Sequence, residues 1–262
     1  MITPSAPLAA AGPGTLRRYR WPLMTAALAG LGVFGAVLVV PAIVRRRLSR
    51  RLAAVLLILA AAQGTGALVT VVMGMRAPIC RPPTFSPPGQ AAAYTTRQDT
   101  LWVSTRQALT AGPTGLALIY AQVRGADVCR FAPNGNLIAR MDTGYARAGT
   151  MIGHLFLTYP KPDLTYEDLV PLTQHEARHA DQWAVAGVLG GPMAFPAAYT
   201  ADELLAPGAH NHFERHAGLT GGGYTVPDQP PRTLGRLAIT LLALTFLRQA
   251  FRRLRRRTHR GK

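Results

Sequence analysis

Two histidines four positions apart carry the clearest chemical signal in the sequence. The stretch Thr173 to Trp183 reads TQHEARHADQW, in which His175, Glu176 and His179 form an H-E-x-x-H pentad. Histidines at i and i+4 stand one above the other on an α-helix, so both imidazoles can reach one tetrahedral ion. A glutamate after the first histidine can accept a proton from water that the ion polarises. The pentad predicts a hydrolytic Zn2+ site with His175 and His179 as ligands and Glu176 as general base.

A third ligand is expected further along the chain. The stretch NHFERHAGL, at 211–219, contains Glu214, which is one candidate for this ligand. Zinc accepts imidazole nitrogen as well as carboxylate oxygen, so three neighbouring histidines are alternatives. These are His210, His212 and His216. His154, a lone histidine in an apolar stretch, is expected to be a core residue with no ligand role.

The pentad and the later glutamate together resemble the zincin metallopeptidases of the gluzincin type. The resemblance implies that His175, His179 and Glu214 bind zinc and that Glu176 is the catalytic base. It also implies that the stretch HLFLTY, at 154–159, supplies the strand that lines the substrate cleft. One position departs from the pattern, because many gluzincins have an aspartate about four residues after the third ligand to orient a histidine. This chain has Gly218 there.

The expected function is therefore a membrane-anchored zinc metallopeptidase that hydrolyses a peptide or protein substrate. The alternative is a catalytically inactive zincin-like domain with a metal-binding, structural or regulatory role, alongside protein partners of the cell envelope. A third interpretation treats HEARH as the polar face of an ordinary helix. Retained zinc separates the first two interpretations from the third, and peptide cleavage separates the first from the second.

Long apolar runs bounded by arginines predict an integral membrane protein. Residues 21–44 and 52–75 contain no charge, and a helix of either length exceeds the roughly 30 Å of the hydrocarbon layer. A weaker run at 233–251 either spans or lies on the membrane surface. The basic loop 45–51 and the basic carboxyl-terminal tail are expected in the cytoplasm, which places the middle of the chain outside.

The distribution of charge argues against a nucleic-acid partner, although the formal net charge is +17. All 12 acidic residues lie between Arg76 and Pro231, whereas most basic residues lie in the flanks beside the apolar runs. Such flanks are typical of membrane topology signals. The abundance of Ala, Gly, Pro and Arg suggests a bacterial protein, so we expect it in the cytoplasmic membrane. Cys80 and Cys129 both fall in the external block and are predicted either to form a disulfide or to be two buried thiols.

The predicted organisation has five parts. A basic tail occupies 1–20, two transmembrane helices occupy 21–75, and a proline-rich linker occupies 76–90. An extracytoplasmic zincin-like domain at 91–231 follows, and a third transmembrane or interfacial helix with a basic tail occupies 232–262. The fold class is thus α+β, a small domain attached to about three transmembrane helices.

Within the external domain, strands are predicted first and helices later. The predicted strands are TLWVST, GLALIYAQV, DVCRFA, LIARM and MIGHLFLTY, with a turn at Asn134 to Asn136. The helix that carries the pentad is expected to end at Gly190, and shorter helices follow around 201–205 and 211–219. The polar neighbours of the pentad are expected either to orient the ligands or to form the solvated face of the helix. These neighbours are Arg178, Asp181 and Gln182.

Overall fold

The computed structural model describes residues 20–44, 49–80, 100–131, 133–142, 149–159 and 166–228. These residues divide into two compact units, one ending at Phe195 and the other beginning at Pro196. The first unit contains α1 (Arg20–Val44), α2 (Arg50–Arg76), α3 (Leu101–Val123), β1 (Asp127–Phe131), β2 (Asn136–Arg140), β3 (Thr150–Ile152), β4 (Leu155–Thr158) and α4 (Tyr166–Gly190). Helix α5 (Ala194–Leu205) contains the boundary, and the second unit continues with a 3-10 turn (Gly208–His210) and α6 (His212–Ala217). The mixed α+β class expected from the sequence is confirmed.

The four strands form one sheet in the order β1-β2-β4-β3. Strands β1 and β2 pair antiparallel through the predicted turn at Asn134 to Asn136, and β2 pairs parallel with β4. The stretch MIGHLFLTY was predicted as one strand, which is wrong, because it folds into the antiparallel pair β3 and β4. Gly153 makes this turn possible, since its φ is +65° and a Cβ there would lie 2.2 Å from the Thr114 hydroxyl oxygen.

The two stretches TLWVST and GLALIYAQV were also predicted as strands and instead form helix α3. Thr100 caps the start of the helix, where its hydroxyl accepts a hydrogen bond from the Val103 amide at 3.2 Å. Packing against α2 overrides the β-propensity of these residues. Gly115 lies so close to α2 that a Cβ atom there would be 1.7 Å from the Gly66 carbonyl oxygen. Helix α3 also packs on the sheet through a core that includes Leu118, Leu137 and Leu155.

The expectation of about three membrane-spanning helices is corrected by the structure. Within the described residues, one helix is long and apolar enough to cross a membrane, the segment Arg51–Arg76 of α2. Helix α1 covers the first predicted span and has a non-helical conformation at Gly32, with φ of +65°; its apolar segment within the described residues is Trp21–Val37. The third predicted span at 233–251 lies outside the described residues, as do the tail at 1–19 and residues 81–90 of the linker.

The predicted pairing of the two cysteines is confirmed. Cys80 and Cys129 form a disulfide with Cα atoms 4.9 Å apart. The backbone next to the disulfide also pairs, because the Cys80 amide donates to the Arg130 carbonyl at 3.1 Å and the Arg130 amide donates to the Pro78 carbonyl at 2.8 Å. The segment that leaves α2 is therefore joined to β1 both covalently and by hydrogen bonds.

Candidate metal centre

Helix α4 brings the two histidines of the pentad together. His175 and His179 are both buried, and their Nε2 atoms lie 3.1 Å apart with the rings nearly perpendicular at 85°. Two zinc–nitrogen bonds of about 2.0–2.1 Å at a tetrahedral angle would place the nitrogens about 3.3 Å apart. The spacing of the two Nε2 atoms therefore suits two ligands of one ion.

A side chain on the same helix fixes the tautomer of His179. Its Nδ1 atom lies 2.8 Å from Oε1 of Gln182, and an amide oxygen can only accept a hydrogen bond. His179 therefore donates from Nδ1, so its Nε2 carries the lone pair that a metal ligand needs. Gln182, which flanks the pentad in the sequence, acts on the ligand in this way and is more than a part of the polar helix face.

Glu214 lies on α6 and is held by two neighbours. The Asn211 side chain caps this helix by accepting from the amides of Phe213 and Glu214, at 2.8 and 3.4 Å. The Tyr199 hydroxyl donates a hydrogen bond to Oε1 of Glu214. Burial, and then this bond to a carboxylate, raise the pKa of Tyr199 above its usual range, so the phenol stays protonated and remains a donor.

The structure brings three of the predicted residues together. Among the described residues, His175, His179 and Glu214 form the group that could hold a metal ion, with ligand atoms within 4.8 Å of one another and all three side chains buried. Two imidazoles and one carboxylate are a donor set found in catalytic zinc sites, which keep a further position open. Glu176, the predicted base, is also buried.

The three histidines that were alternatives to Glu214 as the third ligand lie in different surroundings. His212 is exposed, and its Nδ1 atom lies 2.8 Å from Oδ1 of Asp202. His216 is exposed as well, whereas His210 is half-buried at the end of the 3-10 turn. None of the three belongs to the metal-competent group found in the described residues, which favours Glu214 as the third ligand.

A buried arginine that the sequence analysis missed holds α4 in place. The Arg106 guanidinium, on α3, donates to the Ala177 carbonyl at 3.3 Å and to the Asp181 carboxylate at 3.1 Å. It also donates to the Asn134 carbonyl and to Oδ1 of Asn136. One side chain thus connects α3, the β1–β2 turn and the helix with the pentad. The signal in the sequence was a single charge in an otherwise uncharged helix of 23 residues.

Helix α4 is also fixed to the sheet and to the residues beyond it. The Trp183 indole donates to the Met151 carbonyl of β3 at 3.0 Å. The Trp183 and Phe195 rings are in contact, with centroids 5.3 Å apart, and Phe195 also lies against His179 at 6.2 Å. Aromatic side chains therefore lie beside His179, and edge strand β3 lies alongside α4.

His154 is the core residue that the sequence predicted, in the turn between β3 and β4. The Thr110 hydroxyl donates to the Arg106 carbonyl at 2.8 Å, so it accepts from Nδ1 of His154 at 2.7 Å. Burial, and then the nearby Arg106 charge, lower the pKa of His154 to about 3. The ring also borders a cavity of about 430 Å³ between α2, α3 and the sheet. His154 is therefore a neutral hydrogen-bonding group with no ligand role.

Arg106→Met should destabilise the protein by about 2–4 kcal/mol, because two carbonyls, an amide oxygen and a partly buried carboxylate lose the hydrogen bonds that the guanidinium donates. Chemical denaturation of the full chain in detergent measures this change. Arg140→Met is the matched control, since Arg140 pairs at 3.3 Å with the largely exposed Asp127 and should cost less than about 1 kcal/mol. Equal effects of the two substitutions would contradict the role of Arg106.

His154 should make the protein less stable in acid. Its pKa is lower in the folded chain than the ordinary 6.5, so the unfolded chain binds the extra proton between about pH 6.5 and 3. Stability should fall through this window as pH falls, with a slope that approaches about 1.4 kcal/mol per pH unit. His154→Gln should lack this contribution in unfolding curves from pH 7 to 4. Identical slopes for the two proteins would contradict the assignment.

Comparisons with other proteins do not place the chain in a known group. No family model, no curated protein and no solved structure matches it. The likeness to gluzincins therefore stays a resemblance carried by the pentad and Glu214. The assignment of the centre rests on the residues themselves: two imidazole nitrogens 3.1 Å apart, a tautomer set by Gln182 and a buried carboxylate.

Proposed function

We propose that the chain is a membrane-anchored zinc peptidase with its metal centre at the H-E-x-x-H helix. His175, His179 and Glu214 hold the ion, and Glu176 acts as general base. The observation that carries the proposal is the buried group of two imidazoles and one carboxylate. The Gln182 hydrogen bond adds support, because it leaves Nε2 of His179 ready to bind a cation.

Each residue around the centre has a separate task in this proposal. When bound, zinc supplies a Lewis acid that polarises water and the scissile carbonyl. Glu176, buried and next to His175 in sequence, accepts the proton from water and returns it to the leaving amine. Tyr199 donates to Glu214 and so directs one carboxylate oxygen. Edge strand β3, tied to α4 by Trp183, offers backbone groups that can pair with an extended peptide.

The proposed location is the bacterial cytoplasmic membrane, with the first unit entering it through α2. The segment Arg51–Arg76 has the length and composition of a membrane span. The basic loop at 45–51 favours a cytoplasmic start for this helix. The disulfide between Cys80 and Cys129 follows the other end of α2 and supports an oxidising compartment there.

Metal binding and chemistry should separate in the variants of the centre. His175→Ala, His179→Ala and Glu214→Ala should each lose zinc, because each removes a ligand atom. Glu176→Gln should keep zinc but lower peptide hydrolysis by about 10²–10⁴-fold, because only the base is removed. Metal analysis of the full chain in detergent and a broad peptide library measure the two effects.

His212→Ala is the matched histidine control, because this exposed side chain is paired with Asp202 and the variant should keep both zinc and activity. Loss of zinc in Glu176→Gln would contradict the role given to that residue. Zinc at full occupancy without cleavage of any peptide would favour the alternative of an inactive metal-binding domain with a structural or regulatory role.

The orientation predicts the redox state of the cysteines in the native membrane. Mass spectrometry of non-reduced protein, alkylated before extraction, should show Cys80 linked to Cys129. Two alkylated thiols in that sample would contradict the external placement of the sheet. The same sample reduced with dithiothreitol before alkylation provides the control, because both cysteines should then react fully.

A further inference from the structure

Helix α1 contacts the candidate membrane helix α2 at one identifiable position along its length. A Cβ atom on Gly30 of α1 would lie 3.1 Å from the Cβ atom of Leu59 in α2, so the helices are in close contact there. Leu59 lies inside the apolar segment Arg51–Arg76. Seventeen residues separate Leu59 from Arg76, which is about 25 Å of helix. The contact is therefore far from the Arg76 end of the span.

The end of α4 meets α1 at this same place. A Cβ atom on Gly32 would lie 2.4 Å from the Gly191 amide nitrogen, and one on Gly191 would lie 2.6 Å from the Gly30 carbonyl oxygen. Gly32 and Gly191 have φ of +65° and +83°, which disfavours any side chain at either position. The carboxyl-terminal end of the histidine-bearing helix is thus in backbone contact with α1 close to the level of Leu59.

Helix geometry then limits how far the histidines lie from that level. Eleven residues separate His179 from Gly190, so their Cα atoms are about 16 Å apart along α4. Whatever the tilt of α4, His179 is then at most about 16 Å above the level of Leu59, whereas Arg76 lies about 25 Å above it. The histidine pair therefore lies at least roughly two helical turns short of the Arg76 end of α2, within the depth that this helix covers.

The outer face of α4 beyond the pentad has the character of a lipid contact. Val185, Val188, Leu189 and Met193 are exposed by 38–67%, and the spacing of the first three places them on one side of the helix. The chain from Trp183 to Thr200 contains no charged residue. The candidate membrane helix α2 is similarly open, since only 17% of its apolar window is buried by protein. A bilayer is an occupant that would cover all of these surfaces together.

We infer that the end of α4 is embedded in the bilayer, that the histidine pair sits near the membrane boundary at the Arg76 end of α2, and that the substrate is a membrane-anchored polypeptide. A soluble protein would have to bring its scissile bond below the membrane surface to reach this level. A polypeptide already tethered in the bilayer presents the residues beside its own membrane segment at that depth. This substrate class rests on the proposed peptidase function, whereas the depth of α4 does not.

The depth can be measured with single cysteine labels in the full chain. Both native cysteines are in the disulfide, so each introduced thiol is labelled alone. Val188→Cys is the test, Ile58→Cys on the exposed face of α2 is the lipid control, and Asp127→Cys on β1 is the aqueous control. In vesicles of phosphatidylcholine and phosphatidylglycerol, a fluorophore at Val188 should be quenched by acyl-chain nitroxide as at Ile58. Quenching by aqueous iodide as at Asp127, or quenching by neither reagent, would overturn the embedding of α4.

The substrate class needs a second measurement in the same vesicles. One peptide is offered free in solution and also fused to a transmembrane segment, with Glu176→Gln as the inactive control. Tethering in the bilayer should raise cleavage by about 10²-fold or more. Equal rates would overturn the substrate class and leave the peptidase proposal standing. Cleavage of neither form by zinc-loaded protein would overturn the peptidase proposal and its substrate class together, and the fluorescence result would still decide the depth.

Discussion

The candidate centre depends on one buried guanidinium. Arg106 is 3% exposed and reaches the Ala177 carbonyl and the Asp181 carboxylate of α4, and it also donates to the Asn134 carbonyl in the β1–β2 turn. A buried cation is tolerated only when it is surrounded by acceptors, so the three elements have to meet around it. Ala177 lies between the two histidines in sequence. The hydrogen bonds from Arg106 therefore also fix the rotation of α4 about its axis, with both histidine side chains buried. The Asn134 amide strengthens the same junction through the Thr173 carbonyl at 2.9 Å.

Local patterns were enough to predict the helix of the pentad but not the elements around it. The i, i+4 spacing of His175 and His179 and the glycines after Leu189 are signals within one helix, and α4 indeed ends at Gly190. The strands predicted at 100–105 and 115–123 failed because residues such as Trp102, Ile119 and Tyr120 are exposed on α3, and packing of Gly115 against Gly66 decides the conformation. The role of Arg106 could not be predicted, since its partners lie 28 to 75 positions away. The disulfide was predictable because the chain has only two cysteines.

Glycine contacts show how the apolar helices pack into the fold. Residues 21–44 contain no charge, yet Gly32 breaks α1 where its backbone meets Gly191. Hydropathy measures the cost of transfer into lipid and carries no information about a backbone that is in contact with another backbone. Small residues let helices approach closely in apolar surroundings, and the Gly66–Gly115 contact between α2 and α3 has the same origin. The apolar helices are therefore packed into the fold that carries the centre and are more than a tether.

The chain has Gly218 where many gluzincins have an aspartate that orients a histidine, and a different residue orients a histidine here. Gly218 terminates α6 at φ +97°, where its amide bonds back to the Glu214 carbonyl. An aspartate there would be strained by that backbone conformation. His179 is instead oriented by Gln182, three positions further along its own helix. A neutral amide selects the same tautomer as a carboxylate would, but it brings no second negative charge into a buried site. In a helix that runs toward apolar surroundings, this arrangement avoids the desolvation cost of another ion.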